Sequence, residues 1–218
     1  MYIYVTNSFC TPDIGLSVAT LLLSVTMENE TEIFYAADPS AWRIWLQEHH
    51  VSKQAVWLVM YNKASGKPTI SWSDAVDVAL CFGWIDSKKI AVDQEKSYQF
   101  FSKRKPKGTW SKINKDKVAQ LMADGLMTDA GLAVIETAKK NGSWTILDVV
   151  DALLIPEDLE KEFKTRAGSK DFFLSLSKSA KKAILQWIVL ARRPETRQKR
   201  ILEIAELAAQ KLKPAQFR

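Results

Sequence analysis

Cysteine is nearly missing from this 218-residue chain, which has only Cys10 and Cys81. Two thiols so far apart build neither a disulfide framework nor a zinc or iron–sulfur site; a reducing compartment and a cytoplasmic location are expected. Long hydrophobic runs are also missing. Ile14–Val25, "IGLSVATLLLSV", is too short to span a bilayer, and no Lys or Arg precedes it to orient a signal peptide. The chain carries no phosphate loop, dinucleotide fingerprint, Gly-x-Ser-x-Gly elbow or His-Glu-x-x-His pair. No transmembrane segment, metal or cofactor is therefore expected, and no reaction is indicated.

What is present is 47% hydrophobic residues, enough for a core in one domain or in two small ones sharing an interface. The net charge of +6 is uneven. It is −5 over residues 1–52, zero over 53–87, +7 over 88–117, −4 over 118–177 and +8 over 178–218. Two basic segments in one chain suggest an anionic partner, against the alternative of lysines that are simply solvated. Residues 1–26 differ from the rest, and Met27 opens a polar, acidic stretch. The expectation is a dispensable leader from a start assigned too early, with a signal sequence as the alternative.

Local signals then give a map. In "DPSAWRIWLQEHH", Asp38 caps a helix with Pro39 in its first position and Trp42, Trp45, Leu46 and His49 along one stripe. "AVWLVMYNK" reads as a central strand and "KASGKP" as a turn. Ser73 is placed to cap a helix through Phe82 that Gly83 ends in a left-handed conformation. Ile85–Val92 and Ser97–Arg104 pair as antiparallel strands around "DQEK", which sets Asp86 nearly opposite Lys103 or Arg104. Beyond Trp110 the pattern is helical. Starts fall near Asn114, Thr128, Pro156, Ser177 and Pro194. The expected class is α+β: a small antiparallel sheet with helices over 27–143, then a mainly helical region over 144–218, without βαβ alternation.

The segments "ALCFGWIDS", "KRKPKGTWSKIN", "LMADGLMTDAGLAVIETAKKNGSW" and "ARRPETRQKRI" resemble successive motifs of the bacteriocin-protection, OmpD-associated (YdeI-like) family of bacterial proteins. The resemblance runs from about Trp42 to Leu207. It is carried by Gly83–Asp86, by Arg104, Pro106, Trp110, Ser111 and Asn114, by Gly125, Met127 and Gly131, and by Arg193–Arg197 with Arg200. The family name implies a role in tolerance to bacteriocins or cationic peptides and association with a porin, and no established reaction. The chain departs from the family pattern in the extra lysines at 103, 105 and 107, so Lys105 competes with Arg104 for the place of the family's arginine.

Chemically, Arg104 offers a planar fork for a carboxylate or phosphate, and Ser111 or Asn114 can cap a helix whose first N–H groups attract an anion. Trp84 and Trp110 would wall such a pocket, with Asp86 beside it. The structural alternative makes Asp86–Arg104 a cross-strand ion pair, the tryptophans core, and Asn114 a cap. Arg193, Arg197 and Arg200 form a second basic cluster, read either as a second anion surface or as partners for nearby carboxylates and carbonyl ends. Cys81 with His49 or His50 has the residue types of a nucleophile and base, but it lies in an apolar run where an inert thiol is usual. The leading expectation is a soluble stress-tolerance protein binding an anionic small molecule or headgroup. A nucleic-acid-binding module and an enzyme acting on a phosphate- or carboxylate-bearing metabolite are the alternatives. A sequence-specific nucleic acid is not expected, for want of a recognition face.

Overall fold

The computed structural model describes residues 31–218, so the leader expected over residues 1–26 lies outside the described residues. Four strands, β1 (Ile33–Tyr35), β2 (Ala55–Tyr61), β3 (Trp84–Ala91) and β4 (Lys96–Lys103), form one sheet in the order β1-β2-β4-β3. The sheet is mixed, because β1 runs parallel to β2 through the crossover helix α1 (Pro39–His49), while β4 is antiparallel to both β2 and β3. This corrects one expectation, a wholly antiparallel sheet; the single βαβ unit is not the alternation of a doubly wound fold. The three-residue β1 is too short for alternation to show in the sequence. The α+β class stands.

Helix α1 begins where the sequence places it: the Asp38 carboxylate accepts from the Ala41 amide, and Pro39 fills the first turn. Its apolar stripe buries Trp42, Trp45 and Leu46. The Trp42 indole donates to the Ala75 carbonyl of α2 (Trp72–Cys81), locking the two helices together on one face of the sheet. Helix α2 is capped by Ser71, two residues earlier than expected. The Ser71 hydroxyl receives the Asp74 amide and donates to the Asp74 carboxylate, a reciprocal box unavailable to Ser73. Gly83 follows α2 with a φ of +72°, in the left-handed region.

Next come α3 (Lys112–Ala123) and α4 (Asp129–Lys140). The N-terminus of α4 sits directly on the end of α2, where the Cys81 carbonyl accepts from both the Thr128 amide and hydroxyl. Such closeness requires Gly131, since a Cβ there would lie 2.3 Å from the Cys81 oxygen. A first core gathers Trp42, Trp45, Leu58, Trp84, Phe101 and Trp110. A second, helical core joins α5 (Asp148–Asp151), α6 (Glu157–Lys164), α7 (Ser169–Ser175), α8 (Lys178–Val189) and α9 (Pro194–Ala209) around Leu159, Phe173, Ile188 and Ile201. Among the described residues, no helix is long and apolar enough to cross a membrane.

Candidate functional site

β4 ends at Lys103, and the Arg104 amide donates to the Gly83 carbonyl. This bond joins the first residue after the β3–β4 hairpin to the turn before it, so Trp84 and Arg104 share one corner of the sheet. A tight turn follows, with the Gly108 amide on the Lys105 carbonyl. It is latched to the end of α4, because the Pro106 carbonyl accepts from the Asn141 amide group at 2.7 Å and the Ser143 hydroxyl at 3.3 Å.

The turn carries the chain back over Arg104. One guanidinium nitrogen, Nη1, donates to the Thr109 carbonyl at 3.1 Å, and the guanidinium carbon lies 3.6 Å from the centre of the Trp110 ring. Trp110 in turn packs on Trp144, with centroids 4.8 Å apart. Arg104 is only 9% exposed, yet its Nε and Nη2 groups have no hydrogen-bond partner, and neither has Nε1 of Trp84. A buried donor left unpaired costs about 1–3 kcal/mol, and more when charged. Burial lowers the Arg104 pKa to about 10, opposed by the nearby Asp86 charge. The group is therefore cationic at neutral pH. Because its folded pKa lies below its ordinary value, burial of the cation costs stability at every pH below about 10, and that cost fades only as pH rises above it.

Asp86 does not stand where simple counting put it. Its partner across the ladder is Phe101, and Trp84 faces Lys103, with a register shift between Asp86 and Lys89. The Asp86 carboxylate accepts from the Trp72 indole at 2.9 Å, and Lys103 reaches the Val51 carbonyl instead. Neither Lys103 nor Arg104 forms an ion pair with it among the described contacts, so the cross-strand pair is corrected to a Trp72–Asp86 hydrogen bond. Since that bond is exposed, Asp86→Asn should change unfolding free energy by under about 1 kcal/mol in urea titrations. It also removes the nearest negative charge, so any anion held by Arg104 should bind more tightly in the variant.

Ser111, not Asn114, caps α3: its side chain accepts from the Asn114 amide at 3.3 Å. Asn114 is the third helical residue, and no recorded contact brings its side chain to Arg104. The first amides of α3 follow Trp110 directly and lack intrahelical acceptors. Arg104, Trp84 and Trp110 thus gather at one corner, with Ser111 beside them and Asp86 as the compensating charge. Missed in the sequence were the Thr109 carbonyl, the Pro106 latch and Trp144; the "NGSW" that ends α4 was the available signal.

Two of the three arginines in the second basic cluster are already partnered. Arg197 grips Asp158 with Nε and Nη2 at 2.7 and 3.0 Å. Burial would raise the Asp158 pKa, but the Arg197 hydrogen bonds outweigh it and hold the carboxyl below its usual value. Arg200 donates to the Trp187 carbonyl and lies over that ring at 4.9 Å. Arg193 is exposed at the start of α9. Cys81 is buried, and burial pushes its thiol pKa up. His49 packs edge-on against Trp45, and His50 meets the Leu46 carbonyl and the Phe82 ring. Neither imidazole hydrogen-bonds the thiol. Among the described residues no cluster of His, Cys, Asp and Glu is arranged to hold a metal.

Residues 34–134 match the family described as Domain of unknown function (DUF8412), and residues 152–211 match the family described as bacteriocin-protection, YdeI or OmpD-associated. The resemblance expected from Trp42 to Leu207 thus holds over 152–211, while the motifs from Gly83 to Gly131 fall within the segment of unknown function. No curated protein and no solved structure matches the chain.

Proposed function

We propose that this chain, which carries a segment matching the bacteriocin-protection family, holds the carboxylate or phosphate of a small molecule or headgroup at Arg104. One observation carries the reading: a buried guanidinium with two unpartnered N–H groups, at a strand end whose backbone bonds the turn just before Trp84, whose indole N–H is also buried and unpartnered. Carboxylates and phosphates accept paired hydrogen bonds from the planar guanidinium fork, and charge-assisted bonds of this kind are roughly twice as strong as neutral ones. An anion would also relieve the cost of burying the cation. With these atoms buried, entry requires a wall to move, and the exposed turn at Lys105–Lys107, held through Pro106, is the segment that would lift. The role in bacteriocin or cationic-peptide tolerance is proposed from the family description alone.

Thermal unfolding tests the reading. Phosphate at a hundred times its dissociation constant should stabilise the protein by about 2.7 kcal/mol. Chloride and sulfate at matched ionic strength control for exclusion from the surface. Arg104→Ala should abolish the phosphate-specific part, and Lys107→Ala, on the exposed turn, should retain most of it. Equal stabilisation of wild type and both variants would refute the site.

A further inference from the structure

Helices α1 and α2 cover one face of the sheet, on which Val56, Leu58, Met60 and Phe101 are buried. The opposite face presents aromatic side chains on the two central strands. Trp57 and Phe100 are direct cross-strand partners with ring centres 4.8 Å apart, and Tyr98 lies 6.5 Å from Trp57. All three are partly exposed. The platform continues over β1, whose Ile33 is 55% exposed and Tyr35 42% exposed. Isolated apolar residues on a surface need no explanation, but a contiguous aromatic platform does.

The strand residues of this platform carry positive charge only, and carboxylates enter at the Asp93–Glu95 turn at one end. The register places no carboxylate on this face of β1, β2 or β4. The Lys88 ammonium, set outward by the irregularity in β3, hovers 5.0 Å from the centre of the Trp57 ring and 5.2 Å from that of Phe100. Lys67 lies over Tyr61 at the far end, where Glu95 pairs with it. At the other end of β4 the exposed Lys105 and Lys107 follow. A partner that suits flat electron-rich rings interleaved with ammonium groups has planar faces to stack and a chain of negative charge to pair.

We propose that this sheet face binds single-stranded nucleic acid, stacking bases on Trp57, Phe100 and Tyr98 while Lys88 and the lysines at the strand ends track the phosphates. Stacking of this kind tolerates any base, and a duplex, whose bases are already stacked on one another, cannot supply it. On binding, a base takes the place of the Lys88 ammonium over the rings, and the freed ammonium moves to a phosphate. Nothing in this proposal depends on Arg104, which lies buried beyond the strand end.

The test is fluorescence anisotropy of a labelled 16-nucleotide oligothymidylate and of a mixed-sequence duplex of equal length, at two salt concentrations. Wild type should bind the single strand at least tenfold more tightly than the duplex, which should show only non-specific affinity on the order of 10⁻⁴ to 10⁻⁶ M at physiological salt. Trp57→Ala/Phe100→Ala should weaken single-strand binding at least tenfold, while Lys164→Ala, exposed at the end of α6 in the helical region, leaves it unchanged. Should the double variant fail to fold, Lys88→Glu, on an exposed side chain, should still weaken binding severalfold and flatten its salt dependence. Equal affinity for single strand and duplex, or wild-type affinity in Lys88→Glu, overturns the proposal. So does a protein dimer in sedimentation that is lost in Trp57→Ala while wild type binds no oligonucleotide.

Discussion

Gly131→Ala should unfold this protein more readily than any other single-methyl addition at the glycines among the described residues. The new Cβ would stand 2.3 Å from the Cys81 oxygen, 2.8 Å from its carbonyl carbon and 2.8 Å from the end of Met127. The first two atoms are backbone, so the helix itself must move. Retreat of α4 breaks both Thr128 hydrogen bonds to that carbonyl, the fastening between α2 and α4. Overpacking of this type costs about 1–3 kcal/mol, and the lost bonds bring the expected total to roughly 3 kcal/mol or more. In a chain of this size that is a fall in melting temperature of roughly 6–12 °C. Gly125 and Gly142 are the controls: both have positive φ but open space around the added methyl, so Ala there should cost only about 1–2 kcal/mol of backbone strain. Tryptophan fluorescence reads the relevant core, because seven of the eight tryptophans lie between Trp42 and Trp144 and only Trp187 belongs to the second core. Equal effects at 125 and 131 would contradict the close approach of α4 to α2.

Trp110→Ala should be the second large effect, and it should strike stability and binding together. Trp110 is 2% exposed and lies between the Arg104 guanidinium and Trp144. Truncating a buried Trp costs about 3–5 kcal/mol in lost burial and residual cavity. A desolvated cation–π contact adds up to about 2 kcal/mol, part of which water entering the cavity restores to the guanidinium. Hydration of Arg104 is the distinguishing consequence: once water satisfies the free N–H groups, phosphate gains little by replacing it. Trp110→Ala should therefore lose most phosphate-specific stabilisation, whereas Trp72→Ala, at a side chain 53% exposed, should keep it with only a small stability loss. Urea titrations with and without phosphate measure both quantities. Full phosphate stabilisation in Trp110→Ala would separate Trp110 from the site.

How far the fold could be read from residues depended on the range of the interaction. Asp38–Pro39 and Thr128 announce helix starts because a cap acts within three residues. Gly83 announces a left-handed turn because only glycine adopts one freely. The Ser71–Asp74 box was equally local, but Ser73 is also a good cap former, and the reciprocal bonds that choose between them become visible only in the folded turn. Pairing of β3 with β4 was legible from their shared turn, whereas the shift at Asp86–Lys89 was not, since alternation alone carries no mark of an irregularity. Arg104 stood out by chemistry and context in the sequence. That its fork is buried, stacked on Trp110 and left with free donors depends on contacts with Gly83, Thr109 and Trp144, which only the folded chain assembles. The aromatic sheet face was half visible: "FF" at 100–101 is one residue inward and one outward, and the outward Phe100 acquires meaning only beside Trp57.

An anion bound at Arg104 should meet the free donors of both Arg104 and Trp84, and an amide-type nitrogen–proton correlation spectrum observes both directly. Indole Nε1–H and arginine Nε–H groups each give a resolved signal, assignable here with Trp84→Phe and Arg104→Lys. Titrating phosphate at constant ionic strength should move the Trp84 indole and Arg104 Nε signals along one saturating curve while the Trp57, Trp72 and Trp187 indoles stay in place. The same titration in Arg104→Lys should leave the Trp84 signal unmoved. Uniform small shifts in every indole, or a Trp84 response that persists without the guanidinium, would contradict the account.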